Sequence, residues 1–82
     1  MQIRTTASRS GQHGTWAIRQ DGKTASGTWR TGTWEIIEND TGFPDEMLDA
    51  LLNMAAVWPV PGVWTDIPQD MIDEAVYDSR EN

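Results

Sequence analysis

Cysteine is absent from the 82 residues, histidine, tyrosine and phenylalanine each occur once, and six basic residues stand against thirteen acidic ones. The missing cysteine excludes disulfides, thiolate metal sites and cysteine nucleophiles together, and it suits a reducing compartment. The single histidine, His13, lies in the glycine-flanked stretch "GQHG", and no nucleophile motif accompanies it to build a Ser-His-acid triad. Walker loops, dinucleotide fingerprints and EF-hand spacing are also missing; "ENDTG" at 38–42 is only an acidic, turn-forming cluster. Carboxylates are plentiful but fall on stretches that read as solvated helix faces, where burial has no means of tuning them for acid/base work. No catalytic residue, metal ligand or cofactor is therefore expected. Apolar runs long enough for a membrane span or a signal-peptide core do not occur, and "MQIRTTASRS" is polar, so a cytoplasmic protein without a membrane partner is expected.

What the chain does have is tryptophan, five residues of it, three within a repeated Gly-Thr-Trp at Gly14, Gly27 and Gly32. Asp21-Gly22 suits a two-residue type I′ hairpin turn, which sets Trp16 opposite Gly27, Ile18 opposite Ala25 and Gly14 opposite Trp29. Trp16 and Trp29 then each lie over a cross-strand glycine and cover its backbone. A second reversal at Thr31-Gly32 sets Trp29 opposite Trp34 and Gly27 opposite Ile36. A type II turn with Gly32 second is preferred there, because positive φ is awkward for Thr31. Trp16, Trp29 and Trp34 thus share one apolar face with Ile18, Ala25 and Ile36, while Thr15, Arg19, Ser26, Thr28, Arg30, Glu35 and Ile37 lie on the other. This alternation is that of an antiparallel sheet covered on one side. Residues 2–8 offer a fourth strand with Ile3, Thr5 and Ala7 on one side.

Beyond Asn39 the period changes. Met47, Leu48, Leu51, Leu52 and Ala55 recur at helical spacing, predicting a helix over about 44–57; Met71, Ile72, Ala75 and Val76 predict another over about 68–78. Their starts, "FPDEMLD" and "IPQDMID", repeat an apolar residue, proline and early acids, a pattern favoured at the positive end of any helix dipole. "WPVPGVW" between them is a stiff connection whose Trp58 and Trp64 suit either the core or a contact surface. The chain reads as one small α+β domain over 1–82: a three- or four-stranded antiparallel meander over about 2–38, with two helices on its tryptophan face.

Charge is divided along the chain. Residues 1–34 hold five basic groups against Asp21, and residues 35–82 hold twelve acids against Arg80. Arg19, Lys23 and Arg30 among hydroxyls could meet phosphates, but they belong to a strongly negative molecule, and direct nucleic-acid binding is not expected. Asp66, Asp70, Glu74 and Asp78 recur every four residues, with Asp73 beside them, so the second helix is expected to carry an acidic stripe. Asp45, Glu46 and Asp49 lie on the side of the first helix away from its apolar residues. These residues, with Trp58 and Trp64, are the candidate contacts for a protein partner with a basic surface. The sequence is also compatible with a homodimer.

A short acidic chain with a tryptophan-rich hairpin sheet followed by "FPDEMLDALLNM" and "IPQDMIDEAV" resembles the small anti-CRISPR proteins of phages and mobile elements. The resemblance lies in size, acidity and layout, and no shared motif transfers a residue's role. It implies a non-catalytic inhibitor in the host cytosol that binds a Cascade or Cas effector and blocks its access to DNA. An antitoxin or small phage regulatory adaptor that masks a basic partner would share these features.

Overall fold

The computed structural model describes residues 1–7, 13–31, 33–54 and 58–80. Its elements follow the order β1 (Gln2–Thr5), β2 (His13–Gln20), β3 (Lys23–Arg30), β4 (Thr33–Asn39), α1 (Asp45–Leu52), β5 (Thr65–Asp66) and α2 (Gln69–Arg80). The strands form one sheet in the order β4-β3-β2-β1-β5, and every pairing is antiparallel. The fold is α+β as expected, with five strands instead of three or four. Residues 2–5 supply β1, which ends at Thr5, short of the residue 8 expected; residue 8 lies outside the described residues.

The tryptophan–glycine pairing holds throughout: Trp16 faces Gly27, Trp29 faces Gly14, and Trp29 faces Trp34 on its other side. A Cβ added to Gly14 would lie 3.0 Å from the Trp29 ring, so the indole rests directly on the glycine backbone. Asp21 and Gly22 both take positive φ, as a type I′ turn requires. Thr31 does too, at φ 51°, which corrects the type II expectation, since that turn needs negative φ at its first central residue. A positive-φ reversal matches the right-handed twist of the flanking strands, and the Trp29–Trp34 pairing holds it in place. The left-handed conformation costs a β-branched residue about 1–2 kcal/mol. Thr31→Asn, which tolerates that region, is therefore expected to raise stability by about 1 kcal/mol, read as a higher denaturant midpoint at unchanged slope.

Between Ser26 and Gly27 the β3–β4 register shifts: Ser26 pairs with Glu38 but Gly27 with Ile36, leaving Ile37 as a bulge residue, 67% exposed. The Glu35 carbonyl comes so close to Gly27 that any Cβ there would collide with it. The bulge turns Asn39 toward the covered face, opposite Ala25. There its amide donates to the Phe43 carbonyl and to Asp45, both at 2.8 Å, and its oxygen accepts from the Thr41 hydroxyl at 2.6 Å. One side chain thereby ties the last long strand to the start of α1.

Both helices begin the same way. The Pro44 carbonyl accepts from Met47 and Leu48, and the Pro68 carbonyl accepts from Met71 and Ile72, at 3.1 and 3.3 Å in each case. Each proline stands one residue before the first helical residue, at 45 and 69. The repeated heptad is thus a repeated helix start. Helix α1 ends at Leu52 instead of near 57; residues 55–57 lie outside the described residues. Asn53 caps it, donating its backbone N–H to Asp49, and the Trp58 indole donates to the Leu52 carbonyl at 2.9 Å. The core is Ile3, Trp16, Ile18, Ala25 and Trp29 from the sheet against Met47, Leu48, Leu51 and Leu52 of α1, Ile72 and Ala75 of α2, and Ile67.

Candidate functional site

Burial of Leu48 and Leu51 on α1, and of Ile72 and Ala75 on α2, fixes the rotation of each helix. The opposite faces must then look outward, and they are acidic: Asp45, Glu46 and Asp49 on α1, and Asp70, Asp73, Glu74 and Asp78 on α2, all exposed. Only Arg80 is basic among the residues of the two helices. The other described basic residues, Arg4, Arg19, Lys23 and Arg30, belong to the strands, beside Glu35, Glu38 and Asp66. Folding therefore leaves the sheet layer close to neutral and gathers the negative charge on the helical layer.

Asp66 is not part of the helical stripe. It sits in β5, two residues before Pro68, and accepts a 2.9 Å hydrogen bond from the Gln2 side chain. The four-residue spacing that includes it crosses a helix start, where the helical period no longer applies. Asp70, Glu74 and Asp78 keep the stripe along α2, and Asp73 accepts from Gln69 one turn earlier at 3.1 Å. Asp45 is committed to Asn39, so it shapes the loop as well as the surface. Tyr77 was missed. It is 64% exposed and follows Asp70, Asp73 and Glu74 by seven, four and three residues, placing a phenol in the middle of the acidic face. The same helical spacing that marked the acids also marks it.

The two loop tryptophans part company. Trp58 packs inward, its ring 5.4 Å from Trp29 edge-on and 4.8 Å from Trp34. The ring is half-buried and packs against the core. Trp64 lies on the outer sheet face, where the Arg19 and Arg4 guanidinium carbons stand 4.0 and 4.7 Å from its ring centroid. Arg19 also donates to the Gln2 side chain at 2.7 Å, completing an Arg19–Gln2–Asp66 chain that fastens β2, β1 and β5 together. The two arginines on this face thus differ in kind. Arg19→Ser should cost about 1 kcal/mol by releasing Trp64 and Gln2, whereas Arg30→Ser, at an exposed strand end, should fall within about 0.5 kcal/mol of wild type. Thermal melts of the single variants separate the two.

An open hollow of about 930 Å³ lies at one end of the sheet, lined by Thr6, His13, Thr15, Thr28, Thr33, Arg30 and Glu35 with the edge of Trp29. Hydroxyls and opposed charges give it no net sign. On the helical side, a smaller cleft of about 610 Å³ opens where the first turn of α1 meets the last turn of α2. Among the described residues no group of three acidic or histidine side chains could hold a metal ion, and no helix is long and apolar enough to cross a membrane. The site offers fixed negative charge around an exposed aromatic, which is chemistry for holding a cationic surface.

No family model matches the chain, and comparisons with curated proteins and with solved structures gave no significant match.

Proposed function

We propose that this protein is a non-catalytic inhibitor that lays its acidic helical layer on a basic, nucleic-acid-binding surface of a protein partner in the cytoplasm, as an anti-CRISPR protein does to a CRISPR effector. One observation carries the reading: seven exposed carboxylates share the helical layer with Arg80, while the other described basic residues lie in the sheet. Part of this charge works against the fold. Asp70, Glu74 and Asp78 repel at four-residue spacing, and Asp78 stands in the last turn of α2, where the dipole disfavours anions, each effect amounting to a few tenths of a kcal/mol. An acidic surface of this kind, its carboxylates held outward, is suited to a partner that presents positive charge. Tyr77 adds the rigid aromatic contact that such interfaces favour.

The test is a competition. Partner captured from host lysate on the immobilised protein is challenged with DNA or RNA, and mutual exclusion is the expected result. A partner that holds its nucleic acid and this protein together overturns the proposal. The identity of the captured protein, nucleoprotein effector or toxin, then separates the anti-CRISPR reading from the antitoxin one.

A further inference from the structure

The cleft between the helices bears on what the acidic layer grips. Its wall is apolar: Met47 forms the buried floor, and half-exposed Phe43 and Val76 flank it with Pro44. Ser79 lines it too, but its hydroxyl donates back to the Val76 carbonyl of its own helix at 2.9 Å. Glu46 stands on the α1 rim and Arg80 on the α2 rim. Asp73 lies one turn before Val76 and Tyr77, so the acidic face runs up to the cleft. A volume of about 610 Å³ exceeds that of a single leucine or phenylalanine side chain, and the fold leaves the cleft walls in part exposed.

We infer that this cleft receives one large aliphatic or aromatic side chain projecting from a lysine- or arginine-rich segment of the partner. The inference rests on the function proposed above and narrows it. Charge complementarity selects the occupant: the helical layer on which the cleft opens carries seven exposed carboxylates against Arg80, so an acidic segment is repelled and a neutral one gains no attraction. A basic segment is drawn in, with its cations on the Glu46 and Asp73 sides and away from Arg80. The apolar anchor then supplies the short-range specificity that charge alone lacks.

Short synthetic peptides test this: a lysine-rich peptide with a central leucine, the same peptide with serine in its place, and neutral and acidic peptides that keep the leucine. Binding is followed on protein labelled at its methionine methyls, where Met47 reports the cleft and Met1 is the control. The leucine-bearing basic peptide should bind at least about tenfold more tightly than its serine counterpart and should shift the Met47 signal. Val76→Ala should shrink that advantage, and Glu46→Lys should weaken both basic peptides. Equal binding of the two basic peptides with Met47 unmoved overturns the inference while the proposed function stands. Failure of both basic peptides to bind overturns the two together. Equal binding of the neutral leucine peptide removes charge from the recognition and likewise overturns the inference. Should Val76→Ala not fold, the Met47 shift on wild-type protein decides alone.

Discussion

Trp29→Ala should remove about 3–5 kcal/mol of folding stability, a large share of the total, and lower the melting midpoint sharply. The indole is 2% exposed, stands edge-on to Trp34 and Trp58 with ring centroids 5.8 and 5.4 Å away, and covers the backbone of Gly14. Truncating a buried aromatic costs about 3–5 kcal/mol, from lost transfer energy and from the cavity left behind. A chain of this length has a total stability of only about 4–12 kcal/mol. Collapse around the cavity is hindered, because the ring's neighbours are held by their own polar ends: the Trp34 indole donates to Asn53 at 2.8 Å and the Trp58 indole to the Leu52 carbonyl. Near-ultraviolet circular dichroism and a thermal melt read the outcome. A melting midpoint equal to that of wild type would contradict the packing described.

The second large effect is on binding. Reversing Asp70, Asp73 and Glu74 to lysine should reduce affinity for a basic partner on the order of 100-fold or more, since each close pair turns from attraction to repulsion. The helix should survive, because all three side chains are exposed and point away from Ile72 and Ala75. Loss of the Gln69–Asp73 hydrogen bond and a cation in the first turn together cost about 1 kcal/mol. A melt of the variant accompanies the binding measurement, so lost affinity is not confused with lost fold.

Much of the sheet was legible because glycine and tryptophan constrain each other across strands. Only one register puts Trp16 over Gly27 and Trp29 over Gly14, and the structure adopts it. What escaped depends on contacts far apart in sequence. β5 is two residues long and exists because β1 offers it an edge, with the Ile67 N–H bonding to the Met1 carbonyl at 2.9 Å. Asn39 looked like a loop residue until the bulge at Ile37 turned it toward the core face. Trp58 carries no local sign that it will meet Trp29 and Trp34. Within the candidate site the acids were found by helical period, and the same rule, carried across Pro68, placed Asp66 wrongly. Tyr77 is a lone aromatic in a pattern written in carboxylates, and the interhelical cleft comes from the packing of two helices far apart in sequence.

The central claim is that the helical layer acts through its charge, and affinity as a function of salt tests it most directly. Exposed charges more than about 8–10 Å apart are largely screened near physiological ionic strength. Wild-type protein titrated against its captured partner should therefore lose affinity steeply as salt rises, while the Asp70, Asp73 and Glu74 lysine variant stays weak at every concentration. Equal affinity of wild type and variant, unchanged across the salt series, would contradict the account.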